Sequence, residues 1–230
     1  MSRLFGGFRA GPTLYLIWTA LTLGLAFGKG GLSKDNLVHG GALLFLLLQM
    51  GFAYARRSPI DKPLRWFMWR GLAGAAVVEG LHMFSNPVFP SLAVSASTPF
   101  LQVLRNYAID LLFTLPVYLA VFGWIGFLIR RYRFGRWEYA LLVSAGQALG
   151  DGISMWRADP MMLLLLPYVM LNYQAMSAAA YWTVADQLPE PRPDGSWRKW
   201  AGTLAGLPLI YWTGAVILFT VARCFGFRGA

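Results

Sequence analysis

Three acidic residues of this 230-residue chain lie deep in long apolar runs. Glu79 sits between Val77-Val78 and Gly80-Leu81, Asp110 follows Ala108-Ile109, and Asp151 closes the run LLVSAGQALG. Each has a polar companion at helical spacing: His82 three residues after Glu79, Asn106 four before Asp110, and Gln147 four before Asp151. Residues three or four apart share one helical face. A further run places Asn172, Tyr173 and Gln174 in the middle of an apolar stretch. A charged side chain at the bilayer centre costs about 2.5–3.5 kcal/mol on insertion scales, so an intramembrane acid is a functional-site hypothesis by default. Desolvation disfavours the charged form of a carboxylic acid. A neutral acid in such a site can protonate a weak base such as a carbon–carbon double bond, and a second carboxylate and nearby aromatic rings can stabilise the cation. General acid–base chemistry of this type needs no metal or nucleotide.

The elements that must position these residues follow from composition. The chain is 57% hydrophobic, 16% aromatic and 13% charged, against roughly 25% charged in a soluble domain. The apolar residues fall in blocks of about 17–25, the length that crosses a hydrocarbon core of roughly 30 Å. The expected fold is an all-α, polytopic integral membrane bundle of about seven transmembrane helices. Their spans are 12–28, 37–55, 66–84, 104–129, 137–156, 161–186 and 200–222, with Pro116 a kink site in the fourth. Residues 1–230 read as a single membrane domain. The first block is not a cleavable signal, because no small-residue cleavage site follows it. The segment 189–199, PEPRPDGSWRK, reads as a loop. The segment 87–102 has few charges and reads as a lid, a re-entrant segment or a plain loop.

The net charge of +10 does not point to nucleic acid, because the basic residues cluster in short loops beside the spans. With the N-terminus in the cytoplasm, Arg3, Arg9 and the basic residues of 56–65, 130–136 and 192–199 face inward, Arg57 and Arg192 among them. Lys29, Lys34, Arg105, Arg157, Arg223 and Arg228 face outward. That excess supports this orientation. Trp66, Trp69, Trp137, Trp156, Trp182 and Trp200 lie near span ends and read as an interfacial belt. His39, near the start of the second span, reads as an interface residue. The single cysteine, Cys224, excludes an intrachain disulfide framework and a cysteine metal site. His39 and His82 are too few for a histidine-rich di-iron centre, and no Walker, GxGxxG or HExxH motif is present. No cofactor and no metal are expected.

Glu79, Asp110, Gln147 and Asn172 lie at similar depth in four consecutive spans, on the side away from the basic loops, which predicts that they converge on one pocket. In that order and spacing the segments 66–186 resemble the EXPERA family, which includes a sterol double-bond isomerase and the sigma-two receptor. VVEGLHMF (77–84) resembles the isomerase's helix-two Glu segment. IDLLFTLP (109–116) resembles the receptor's acid-before-proline segment, LLVSAGQALGD (141–151) the isomerase's VSxGQxxGD, and YVMLNYQA (168–175) its pocket-Asn segment. The resemblance implies a four-helix core over 66–186, with flanking spans in 1–65 and 187–230. It departs at Ala75, where the isomerase has a His, and at Ala175, where it has a Trp.

The reading is an isomerase acting on a sterol or terpenoid through a carbocation. Glu79 is the expected principal acid and Asp110 its partner. His82, Asn106, Gln147, Asp151 and Asn172 are expected to bind substrate or relay protons, with Tyr107 and Tyr173 as cation stabilisers. The alternatives are a seven-span membrane terpene cyclase and a non-enzymatic sterol or lipid binder. The expected partners are an apolar small molecule drawn from the bilayer and the membrane lipids, with no nucleic acid and a homodimer left open. The expected location is the endoplasmic reticulum in a eukaryote or the cytoplasmic membrane in a bacterium.

Overall fold

The computed structural model describes residues 10–56, 58–152, 159–188 and 197–227. These form α1 (Ala10–Gly30), α2 (Lys34–Ala55), α3 (Pro63–His82), α4 (Phe100–Arg131), α5 (Arg136–Asp151), α6 (Leu166–Val184), α7 (Trp197–Leu204) and α8 (Gly206–Cys224). A 3-10 turn, Pro160–Leu165, leads into α6. No strand occurs among the described residues. Local chemistry sets several boundaries. Ser33 Oγ accepts the Asn36 N–H at 3.3 Å and caps α2. Pro63 opens α3, where its missing N–H costs nothing. Glu138 Oε2 accepts the Gly135 N–H at 3.0 Å and closes the first turn of α5. α4 runs through Pro116 as a single 32-residue helix.

Five stretches are long and apolar enough to cross a membrane: Gly11–Gly30, Lys34–Ala55, Phe100–Arg131, Met161–Val184 and Trp197–Cys224. They mark the chain as a membrane protein. The expected third and fifth spans fall short of that standard for two physical reasons. α3 carries Arg65, Arg70, Glu79 and His82. α5 has 16 residues, about 24 Å at 1.5 Å per residue, less than a hydrocarbon core. Arg3, Arg9, Arg57, Trp156, Arg157, Arg192, Arg228 and most of the 189–199 loop lie outside the described residues.

α6 is the hub. Every residue from Met170 to Tyr181 is buried, with α2, α3 and α5 packed around it. α8 packs against α4 and α5. Close approach depends on missing side chains: a Cβ on Gly74 would collide with the Met176 carbonyl, and one on Gly150 would lie 2.7 Å from Pro208 Cα. The basic segments meet at one end of the bundle. There Lys199 Nζ, buried, bonds Glu138 Oε1 at 2.7 Å and the Arg133 carbonyl at 2.9 Å. Tyr181 donates to the Phe134 carbonyl at 2.7 Å. The Gln187 side chain accepts the Ile60 N–H at 2.7 Å.

Gly74→Leu is expected to destabilise the bundle by about 1–3 kcal/mol through overpacking, seen as a lower thermal midpoint in detergent. Gly51→Ala, which enters open space, is expected to shift it little. Equal midpoints for the two variants would refute the α3–α6 contact.

Candidate active site

The half of the bundle away from the basic end holds the polar residues, in two linked clusters. In the first, α3 presents Glu79, whose Oε1 accepts the hydroxyl of Tyr118 from α4. At the end of α5, an Asp151 oxygen accepts the hydroxyl of Tyr173 from α6. Between them stands Tyr211 of α8, which donates to Gln147 Oε1 at 3.1 Å. The Gln147 Nε2 in turn donates to the Val143 carbonyl at 3.3 Å. The rings meet edge to face, Tyr118 against Tyr211 at 6.4 Å and Tyr211 against Tyr173 at 6.1 Å between centroids. The order is carboxyl, three tyrosines, carboxyl, supplied by five helices. Asp110 and Asp151 both lie within electrostatic reach of Glu79. Gln147 and the three tyrosines are buried, whereas Glu79 is half-buried and Asp151 exposed. Acids beside aromatic faces are suited to proton transfer and to stabilising a cation.

The second cluster joins α2, α3 and α6. The Asn172 amide nitrogen lies 3.3 Å from His39 Nε2 and 3.0 Å from His82 Nε2. His39 Nδ1 lies 2.8 Å from the Asp35 carbonyl. The Tyr168 ring stacks on His39 with centroids 3.8 Å apart, and its hydroxyl donates to Asn36 Oδ1 at 2.8 Å. The expectation for His39 is thus corrected. It is 8% exposed and belongs to the polar interior, because its ring is enclosed by Tyr168 and Asn172 rather than turned to the interface.

Three of the expected site residues hold the backbone in place. Asp110, 0% exposed, accepts the Val88 N–H on Oδ1 at 3.1 Å. Asn106 Nδ2 donates to the Leu92 carbonyl at 3.1 Å. Together they fasten the segment 83–99 over the end of the bundle, where Phe89 packs against Phe113, Phe219 and Phe227. Tyr107 donates to the Ala76 carbonyl at 2.6 Å, tying α4 to α3. Asp110 still faces the Glu79 carboxyl, and apart from that approach its Oδ2 has no hydrogen-bond partner among the described residues. The structure therefore gathers Glu79, Asp110, Gln147, Asp151 and Tyr173 around one centre and His82 and Asn172 around its neighbour.

Sequence reasoning missed Tyr118 and Tyr211. Tyr118 lies on the Asp110 face, eight residues along the same helix, and that spacing was a usable signal. Nothing local distinguishes Tyr211 from other span tyrosines. A separate apolar groove of about 580 Å³ opens between α4 and α8, lined by residues that include Leu112, Pro116, Val117, Gly214 and Ile217. Glu79 is not among its lining residues. Among the described residues no group of three or more His, Cys, Asp or Glu is placed to hold a metal ion. No protein-family model, no curated protein and no solved structure matches the chain.

Asp110→Ala is expected to cost about 1–3 kcal/mol by leaving the Val88 N–H without its acceptor. Limited proteolysis should then cut within 83–99 faster than in the parent. Unchanged cleavage would show that Asp110 does not hold this segment.

Proposed function

We propose that the protein is an EXPERA-like membrane enzyme that moves a double bond in a sterol or terpenoid through a carbocation, with Glu79 as the acid. The observation that carries this reading is the Glu79 carboxyl, half-buried in an apolar helix, held by Tyr118 and facing two further acids. The Glu79 proton forms a new C–H bond at one alkene carbon and leaves the cation on the other. Loss of a proton from an adjacent carbon to a carboxylate then restores a double bond one position along. Protons and electrons balance without a redox partner. Asp110, beside Glu79, exchanges the proton with it. Asp151, paired with Tyr173, lies on the opposite side of the tyrosines to take one up. The rings of Tyr118, Tyr173 and Tyr211 offer their faces to the intermediate.

In this proposal α3 and α5 also cross the bilayer, sheltered by α6 from full lipid contact, giving seven spans. The N-terminus is cytoplasmic, in the endoplasmic reticulum of a eukaryote or the cytoplasmic membrane of a bacterium. A sterol- or lipid-binding protein without turnover is the second reading, and Ala75 and Ala175 favour it, because they stand where the isomerase has its His and Trp. A terpene cyclase finds less support, because the last helix contributes Tyr211 and no acid.

Purified protein incubated with Δ8-sterols and polyprenyl epoxides is expected to yield rearranged products. Glu79→Gln is expected to lower turnover at least 100-fold, within the usual range for a lost general acid, and Tyr118→Phe by a smaller factor. Full turnover in Glu79→Gln would remove Glu79 from the acid role. No product from the parent, with saturable sterol binding, would favour the binder.

A further inference from the structure

The apolar groove between α4 and α8 belongs to neither polar cluster. Its α4 wall is one stripe, Ile109, Leu112, Pro116 and Ala120, spaced by three and four residues. Gly214 and Ile217 face that stripe from α8. The two helices close on each other at Gly214, where a Cβ would come within 2.7 Å of Val117 Cγ1. The walls are open to the outside: Leu112 is 70% exposed and Ile217 59%. Both helices belong to stretches long and apolar enough to cross a membrane, so in a bilayer this exposed apolar surface meets lipid.

The dimensions of the groove match a lipid chain. From Ile109 to Ala120 it follows α4 for about 16 Å, at 1.5 Å per residue. That is the depth of one leaflet, half of a hydrocarbon core of roughly 30 Å. A volume of about 580 Å³ over about 16 Å leaves a mean cross-section of roughly 36 Å². A helix about 10 Å across needs about twice that. An extended acyl chain therefore fits within the groove, and a helix of a second copy does not enter it.

The charge at its mouth selects the headgroup. Arg105 precedes Ile109 by four residues and carries the same stripe one turn further, toward the end of the bundle away from the basic loops. Arg105 is exposed. Its guanidinium makes a long bond to Asn106 Oδ1 at 3.4 Å and no ion pair among the described residues. Neither 80–109 nor 195–230 contains an Asp or Glu, so no carboxylate of these segments competes for it. A guanidinium offers paired N–H donors that match a phosphate. A zwitterionic headgroup brings its own cation to Arg105, and an anionic one does not.

We propose that the α4–α8 groove is a binding site for an anionic glycerophospholipid, with one acyl chain along the 109–120 stripe and the headgroup phosphate on Arg105. The site does not depend on the chemistry proposed at Glu79. The lipid ties α4 to α8, the helix that supplies Tyr211 to the first cluster.

The test titrates delipidated full-length protein in detergent with dioleoyl phosphatidylglycerol and dioleoyl phosphatidylcholine, with bound lipid counted by native mass spectrometry. Phosphatidylglycerol is expected to bind about fivefold or more tightly, the worth of one cation beside an anionic headgroup. Arg105→Gln is expected to bring the two lipids within about twofold of each other. Arg223→Gln, which removes an exposed cation outside the groove lining, is expected to keep the preference. Ala120→Trp fills the inner end and is expected to weaken both lipids about tenfold. A phosphatidylglycerol with a photoreactive diazirine in its chain is expected to label 109–120 and 214–227 of the parent, and it serves if Ala120→Trp does not fold. Equal affinity for the two lipids overturns the site, as does a preference that survives in Arg105→Gln or labelling confined to other helices. Loss of the preference in Arg223→Gln as well would show bulk charge attraction and overturn it too. If a second copy covers the groove, the parent runs as a dimer and Ala120→Trp releases monomer without changing lipid affinity, which is equally fatal to the site.

Discussion

A polar side chain inside an apolar bundle has no water to fall back on, and an unpaired one costs several kcal/mol. That constraint organises this structure. Glu79 is paired with Tyr118, Asp151 with Tyr173, Gln147 with Tyr211, and Asn172 with His39 and His82. Each pair crosses from one helix to another. The pairs therefore constrain the relative rotation of α2, α3, α4, α5, α6 and α8. Among the described residues the buried side-chain atoms without a hydrogen-bond partner are Arg70 Nε, Ser85 Oγ, Asp110 Oδ2 and Asn172 Oδ1.

α6 makes this possible. Its neighbours press on it from several sides, so Asn172 and Tyr173, adjacent in the chain, turn to different clusters. Asn172 meets the imidazoles of α2 and α3, and Tyr173 meets the carboxyl of α5. Glycines let the backbones close: Gly74 lies against the α6 carbonyl of Met176, and Gly150 against Pro208 at the start of α8. The opposite end is held by different means, with Lys199 buried in a bond to Glu138 and the charges gathered near the basic loops.

The all-helical membrane character was legible in residue order alone, because apolar blocks of span length have few other uses. Periodicity places Glu79, Asp110, Gln147 and Asn172 each on a definite face, but Asn172, expected in the same pocket as the others, meets His39 and His82 instead. Periodicity says which face a residue occupies and not which helix that face meets. Asp110 was expected as the partner acid of Glu79 and Asn106 as a substrate contact, and nothing local told that both also bond the backbone of the 83–99 segment. His39 looked interfacial, and the inward turn of α2 against Tyr168 buried it. The spans that flank the expected four-helix core supply His39 and Tyr211. Tertiary packing alone decided those partnerships, because hydrogen bonds between residues distant in sequence, such as Asn172 to His39 or Tyr211 to Gln147, depend on helix rotation and contact order that no local pattern encodes.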